Sequence, residues 1–257
     1  MNYSEELTFA KKIAYEAGEI MKKYYRGDQH VKIKEDFSPV TIADQTINDH
    51  LIERVKENFP KHGVMGEEAS WESEREMLWV CDPIDGTVAY VLHIPVSMFS
   101  LALVENGRPV VAVAYNPWTD DLYWSVKNDG SWRNDERIKV SDKNWGPGVR
   151  LLGSSGKKPE IEKVDKLQEQ LGKQGFYVSN TNGTVFKGCM IAEGSAEARS
   201  FMHDGAHDVA AIKLIIEEAG GQVTDLEGND QRYDKPVNGC VMTNGVVHKE
   251  FLELINS

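Results

Sequence analysis

The segment from Trp79 to Thr87, WVCDPIDGT, constrains this chain more than any other. The apolar run LWVC that begins at Leu78 seeks burial, and a short apolar run bounded by turn residues reads as a core strand. It ends in a carboxylate, Asp82, and Pro83 then forces a turn. A second carboxylate, Asp85, follows three residues on, and Gly86 and Thr87 leave backbone N–H groups and a hydroxyl free where a helix could begin. Hard cations want convergent oxygen ligands, whereas phosphate wants N–H groups at a helix N-terminus. One short turn offers both. Taken alone it is equally an ordinary Asp-capped loop, because Asp-Pro and Asp-Gly are common turn dipeptides.

Three further acidic turns share this ambiguity. Glu67 and Glu68 follow Gly66 in a predicted loop just before that strand, as two adjacent acids with no lysine beside them in sequence. Solvated loop charge explains them. Asp208 stands at the start of a predicted helix, where the helix dipole or N-capping accounts for a carboxylate. Asp44 lies three residues after Thr41, which is capping-box spacing. Each has a structural explanation by itself. Brought together, the four would make a metal-binding cluster.

The rest of the chain reads as mixed α and β. Leu7, Ala10, Ile13, Ala14, Ala17, Ile20, Met21 and Tyr24 recur at helical spacing, with Ser4 as N-cap and Gly27 as stop. A second helix is expected from Thr41 to Phe59, ended by Pro60. Ser97–Val104 and Pro109–Tyr115, joined by the turn-rich ENGR, predict a buried hairpin, Leu122–Val126 adds an antiparallel strand, and KNDGSWRND is expected as loop. The second half alternates: strands at Arg150–Gly153, FYVS, Ala198–Met202, QVTD and GCVMT, and helices at Pro159–Gln174, Phe186–Ala192, Asp208–Ala219 and Val246–Ile255. Val140 to Gly148 is the candidate boundary, dividing the chain into residues 1–145 and 146–257.

Charge narrows the function classes. The 257 residues carry 41 Asp and Glu against 29 Lys and Arg, a net charge of −12, which excludes a nucleic-acid polymer as the main partner because such binding is carried by basic side chains. A phosphorylated small molecule remains possible if something cancels the repulsion locally. Cys81, Cys189 and Cys240 lack the C-x-x-C spacing of a zinc or redox pair and read as buried free thiols. No apolar stretch approaches the roughly 20 residues that span a bilayer. The first 25 residues lack the basic start and apolar run of a secretory signal, so cytoplasmic residence is expected.

K-x-D-x-S-P-V-T-x-x-D (Lys34 to Asp44), G-E-E (Gly66 to Glu68), W-V-x-D-P-I-D-G-T (Trp79 to Thr87) and H-D-V-A-A-x-x-x-I-x-E-E-A-G-G (His207 to Gly221) occur in the order and approximate spacing of the inositol monophosphatase family. The chain resembles these magnesium-dependent, lithium-sensitive phosphatases over nearly its whole length. The family also includes 3′-phosphoadenosine 5′-phosphate phosphatases, fructose-1,6-bisphosphatases and one type of histidinol phosphatase. The resemblance implies a five-layer αβαβα sandwich: an N-terminal α+β part with a mostly antiparallel sheet and most metal ligands, and a C-terminal α/β part supplying the last metal Asp. It further implies a likeness of Glu67, Asp82 and the Ile84 carbonyl to ligands of a first Mg²⁺, and of Asp82, Asp85 and Asp208 to ligands of a second, with two or three ions per site. By the same resemblance the Gly86 and Thr87 N–H groups hold phosphate, Thr87 and Asp44 activate the attacking water, and Glu68 is a base for a metal-bound water. Two cations about 4 Å apart suit in-line phosphoryl transfer to water. A small phosphorylated metabolite as substrate and a homodimer are the family-based expectations for partners.

Departures from the family pattern bear on substrate. Val88, Ala89 and Tyr90 stand where many members have Thr, Asn and Phe, and His207 stands where Trp usually precedes the last metal Asp. Phe201, seven residues before Asp208, stands where inositol-selective members carry a Glu, which speaks against a myo-inositol phosphate specialist. Lys187 and the S-P-V-T form of the first motif look more like the nucleotide-phosphatase and histidinol-phosphatase branches. A haloacid-dehalogenase-type phosphatase is the rival enzyme reading, but its nucleophile motif spaces the acids two apart, and Asp82 and Asp85 are three apart with Pro83 between. A non-catalytic metabolite- or protein-binding member is the second rival. His93, His203 and His207 suit an oxygen-rich Mg²⁺ site poorly, Trp118, Trp124 and Trp132 read as core or interface, and Cys81 reads as packing.

Overall fold

The computed structural model describes residues 3–35, 37–153, 169–179, 183–202 and 205–256. The first helix, α1 (Ser4–Tyr25), carries Glu5 and Glu6 in its first turn and Lys22 and Lys23 in its last, the polarity the helix dipole favours. Tyr3, not Ser4, is its N-cap residue; Ser4 already lies inside the first turn, where its carbonyl accepts the Thr8 hydroxyl. A small hairpin of β1 (Lys32–Ile33) and β2 (Pro39–Val40) follows. Helix α2 (Ile42–Asn58) starts at the expected capping box: the Thr41 hydroxyl accepts the Ala43 and Asp44 amides, and Asp44 accepts the Thr41 amide.

The first large sheet runs from β3 (Gly63–Gly66), β4 (Ser70–Trp71) and β5 (Met77–Asp85) through β6 (Met98–Glu105), β7 (Arg108–Asn116), β8 (Asp121–Val126), β9 (Gly130–Arg133) and β10 (Glu136–Ile138). Its spatial order is β10-β9-β8-β7-β6-β5-β3-β4. The predicted meander is present, and one parallel pair, β3 with β5, extends it. KNDGSWRND is not loop: Ser131, Trp132 and Arg133 form most of β9, paired on both sides. Its turn residues are hairpin corners, with Asn128, Gly130 and Asn134 at positive φ, and the Trp132 ring stacks on Trp124 at 5.4 Å.

The second sheet has five strands, β11 (Arg150–Leu152), β12 (Tyr177–Ser179), β13 (Ala198–Phe201), β14 (Gln222–Thr224) and β15 (Cys240–Thr243), in the order β12-β11-β13-β15-β14. Helices α4 (Thr184–Ala192), α5 (Ala206–Glu218) and α6 (His248–Ile255) belong to this half, and a short α3 (Thr87–Val91) follows β5 in the first. The helix expected over Pro159–Gln174 lies mostly outside the described residues; 169–173 are helical.

Strand alternation builds the layers. On β5, β6 and β7 the side chains Trp79, Cys81, Phe99, Leu101, Val111 and Val113 pack against Ile13, Met21, Ile47 and Leu51 of α1 and α2. The opposite face presents Val80, Ala102, Ala112 and Ala114 to Val209, Ile212 and Ile216 of α5, the alanines allowing close approach of the helix. The same helix layer covers Val223 and Met242 of the second sheet, whose far face packs on Val247 and Phe251. The order is helix pair, sheet, helix pair, sheet, helix: the expected αβαβα sandwich. Cys81, Cys189 and Cys240 are buried free thiols, as read from their spacing.

Candidate active site

The parallel pairing of β3 with β5 sets Gly66 opposite Cys81, so the turn after β3 falls beside the end of β5. The Glu67 amide donates to the Cys81 carbonyl at 3.1 Å and carries Glu67 alongside Asp82. Gly66 has no room for a side chain there, because a Cβ would sit 2.6 Å from the Ala69 carbonyl oxygen. Asn48 of α2 donates to that same carbonyl at 3.1 Å.

Strand β5 pairs with β6 through Asp82 opposite Ser100, and its register shifts before Asp85 opposite Met98. The shift at Pro83 and Ile84 aims both carboxylates out of the sheet end. Asp82 Oδ1 accepts the Ile84 amide at 3.0 Å, and the Thr87 hydroxyl donates to the Ile84 carbonyl at 3.1 Å. Gly86 adopts φ +80° ahead of α3.

Asp85 is gripped from the other half of the chain. Its Oδ1 accepts the Thr184 amide at 2.7 Å, and its Oδ2 accepts the Val185 amide at 2.9 Å and the Phe186 amide at 3.4 Å, so it caps α4 across 99 residues of sequence. Gly183 permits this. It has φ +85°, and a Cβ there would come within 2.7 Å of Asp85 Oδ2. Behind it the fully buried Arg199 guanidinium donates to the Gly183 and Thr184 carbonyls at 3.4 and 3.2 Å. Asp208 projects from the first turn of α5, and Asp82, Asp85 and Asp208 each place a carboxylate oxygen within 4.8 Å of the others.

The cluster is electrostatically unfinished. Burial first, then Glu67, Asp85 and Asp208, push the Asp82 carboxyl well above the usual range. Burial, Asp85 and Glu67 do the same to Asp208, with Arg199 and Lys34 pulling back. Burial raises Asp85 too, against the α4 amides and Arg199. Asp44 is pushed up to about 7 by burial, opposed by its hydrogen bonds from Thr41 and reinforced by Glu67 and Glu68. Its Oδ2 accepts the Thr41 amide and hydroxyl at 2.8 and 2.6 Å, while its buried Oδ1 has no partner among the described residues. Convergent carboxylate oxygens carrying uncompensated charge suit a hard divalent cation.

Glu67 and Glu68 do have a lysine. Lys34 Nζ lies 2.7 Å from Glu67 Oε1 and 2.6 Å from Glu68 Oε1, reaching them from the β1–β2 hairpin across more than 30 residues. Sequence reading therefore missed Lys34 as an ion-pair partner, the Thr184 and Val185 amides, and Arg199. The first of these had a signal, since Lys34 opens a recognised motif. The amides had another in Gly183-Thr184, although the predicted helix began two residues late, at Phe186.

Of the described residues set aside, His207 is the one that meets the cluster. His207 Nε2 lies 3.5 Å from Asp208 Oδ2. His93 sits edge-on to Tyr25 at 5.1 Å, and His203 lies outside the described residues. Trp118 donates to Ser97 at 3.1 Å and packs on Tyr25. Burial raises the Cys81 thiol well above its ordinary range, which suits packing and not nucleophilic attack. Phe201 is buried in the core between the sheets, so the ring faces protein.

A sequence model of the inositol monophosphatase family matches residues 2–257. An inositol monophosphatase of Mesembryanthemum crystallinum is 30% identical over 259 residues, covering 97% of this chain and 95% of that one. A fructose-1,6-bisphosphatase/inositol-1-monophosphatase of Thermotoga maritima is 26% identical over 254 residues, covering 98% and 96%. The solved structure of Thermotoga maritima IMPase superposes with a TM-score of 0.89 at 26% identity, over 98% of this chain and 97% of that one.

Proposed function

The chain belongs to the inositol monophosphatase family and is a phosphoric monoester hydrolase, and we propose that it releases inorganic phosphate from a small alcohol phosphate with Mg²⁺ as cofactor. The observation that carries the reading is the convergence of Asp82, Asp85 and Asp208 within 4.8 Å, with Glu67 beside them and the Lys34 ammonium reaching only to Glu67 and Glu68 at the edge. Glu67, Asp82 and the Ile84 carbonyl would hold one Mg²⁺, and Asp82, Asp85 and Asp208 a second. Bound there, the ions supply Lewis-acid polarisation of the phosphoryl oxygens, a lowered water pKa and stabilisation of the leaving alkoxide.

The chain's own groups do the rest. The Gly86 and Thr87 amides orient the phosphate. The free Oδ1 of Asp44 accepts the proton of the attacking water, helped by the raised proton affinity that burial gives this carboxyl. The Thr87 hydroxyl, anchored on the Ile84 carbonyl, turns to orient that water. Glu68, held by Lys34, serves as a second base at the site's edge. The site falls at the meeting of two parts, residues 1–145 and 146–257, and because the second part supplies Asp208 and the α4 amides, closure of the two completes it.

Phosphate release with and without Mg²⁺, across inositol 1-phosphate, 3′-phosphoadenosine 5′-phosphate, fructose 1,6-bisphosphate, histidinol phosphate and glycerol 2-phosphate, tests the reading. Mg²⁺-dependent release from at least one is expected; none from any would overturn it. Inhibition by millimolar Li⁺ at saturating substrate is the expected accompaniment, and unchanged initial rates would remove it. No helix among the described residues is long and apolar enough to cross a membrane. Cytoplasmic residence and a homodimer complete the proposal; sedimentation at the monomer mass would remove the latter.

A further inference from the structure

Arg199 is among the largest side chains without solvent exposure, and its guanidinium forms no direct ion pair among the described residues. A lone buried charge is costly unless its donors are used and its charge is met. Strand alternation on β13 puts Arg199 and Phe201 on one face, the face that meets the α4 and α5 layer, with the guanidinium 5.8 Å from the Phe201 ring. Its Nε donates to the Ser200 carbonyl at 3.3 Å, one terminal nitrogen to the Gly183 and Thr184 carbonyls at 3.4 and 3.2 Å, and the other to the Thr184 hydroxyl at 3.4 Å. All but the first of these acceptors belong to the start of α4.

The same peptide groups meet Asp85 on their other side. The Gly183 carbonyl and the Thr184 amide are one peptide unit: its oxygen accepts from Arg199, and its N–H donates to Asp85 Oδ1 at 2.7 Å. The Thr184 carbonyl and the Val185 amide are the next: its oxygen accepts from Arg199, and its N–H donates to Asp85 Oδ2 at 2.9 Å. In a trans peptide the N–H and C=O point in opposite directions, so each unit spans from carboxylate to guanidinium. Hydrogen bonds in series polarise one another, and those ending on charged groups are the stronger ones. Asp85 and Arg199 are thus an ion pair bridged by two peptide groups, one for each carboxylate oxygen. Burial lowers the proton affinity of Arg199, against Cys240, Asp85 and Asp208.

We propose that Arg199 is a positioning residue for Asp85: through these two peptide groups it fixes the direction of both carboxylate oxygens and sets how tightly Asp85 holds a divalent cation. The cation half of the inference rests on the hydrolase reading above and deepens it. Groups that orient a metal ligand from behind commonly change metal affinity by about 10–100-fold when removed. A guanidinium suits the task better than an ammonium, because its planar fork spends one nitrogen on both carbonyls and the other on the Thr184 hydroxyl.

Arg199→Met keeps an apolar stem and removes the fork, and two measurements on it test the inference: Mg²⁺ titration calorimetry of the substrate-free protein, and amide hydrogen exchange of Thr184 and Val185 by NMR in the metal-free protein. The expected result is Mg²⁺ binding weaker by about tenfold or more, with these two amides exchanging several times faster while the last turn of α4 keeps its parent rates. Unchanged Mg²⁺ affinity overturns the inference. So does exchange at Thr184 and Val185 that is unchanged, or that speeds up no more than the rest of α4, because Arg199 then serves only the packing of that helix. If Arg199→Met does not fold, Arg199→Lys, which keeps the charge and loses the fork, is judged by the same two readings. If the parent binds no Mg²⁺, the metal reading fails by itself, and a denaturation cycle combining the Arg199 variant with Asp85→Asn decides the pairing. Non-additive losses, with Asp85→Asn costing less once the fork is gone, sustain it, and additive losses overturn it.

Discussion

Glu67 and Glu68 share the Lys34 ammonium at 2.7 and 2.6 Å, whereas Asp82, Asp85 and Asp208 meet within 4.8 Å with the buried Arg199 guanidinium spent on backbone carbonyls. The first group is half-buried, and one ammonium offsets one of its two carboxylate charges. In the second, Asp82 and Asp85 are buried and Asp208 half-buried, and their charge is offset only in part, so the proton affinities of Asp82 and Asp208 rise. The difference locates the demand for an external cation in the aspartates. It also makes Lys34 the fixed-charge competitor at the edge, where a cation that engages Glu67 must share it with an ammonium.

Removing a carboxylate from the unfinished group has the largest effect. Asp82→Asn is expected to lower Mg²⁺-dependent phosphate release by about 1,000-fold or more. The metal-free protein should remain at least as stable, because a buried, repelled carboxyl becomes a neutral amide that still accepts from Ile84. A large fall in metal-free melting temperature would show that Asp82 is structural and break the contrast.

Gly183→Ala strikes the junction of the halves. A Cβ at φ +85°, 2.7 Å from Asp85 Oδ2, is expected to cost about 1–3 kcal/mol in chemical denaturation and to reduce phosphate release with it. Gly27→Ala, which meets nothing within 4 Å, serves as the control. Equal stability of the two variants would mean that the α4 amides do not depend on that glycine.

Lys187 sharpens the comparison through pH. It is buried behind Asp85, donates to the Gly153 carbonyl at 2.9 Å, and has its pKa lowered to about 7 by burial first and then by Arg199, with Asp85 opposing. Between about pH 7 and its ordinary value near 10.5 the unfolded chain binds the proton that the folded chain has released. Stability therefore rises with pH across that window, by up to about 1.4 kcal/mol per pH unit. Lys187→Met is expected to flatten the profile; a parent curve already flat from pH 7 to 9 would show that Lys187 stays charged.

Lys34→Met has the smallest expected effect. Removing the ammonium should tighten Mg²⁺ binding by roughly fivefold in calorimetry, in keeping with about 1 kcal/mol for a partly exposed pair. Unchanged or weaker binding would mean that Lys34 supports Glu67 and Glu68 without competing for them.

Some of this was legible in the chain and some was not, for a consistent reason. The capping box of Thr41 and Asp44, the hairpin from Met98 to Asn116 and the exit of β5 into Asp82 and Asp85 each obey rules that reach only a few residues. The β9 strand was missed because Asn128, Gly130 and Asn134 read as loop when they are the corners of consecutive hairpins. Lys34 beside Glu67 and Glu68, and the α4 amides on Asp85, join residues 33 to 101 apart; no local periodicity encodes them.

By itself the sequence determined which groups could do chemistry: a strand that must be buried, a proline that must turn it, two carboxylates three residues apart and a glycine free to follow. Tertiary structure decided which of those groups meet and with what charge. Parallel pairing of β3 with β5 set the position of Glu67, the packing of α4 and α5 between two sheets brought Asp208 to Asp82, and the hairpin carried Lys34 to the edge. Coulomb energies depend on separation and on the surrounding dielectric, and both are properties of the closed fold and not of the order of residues along the chain.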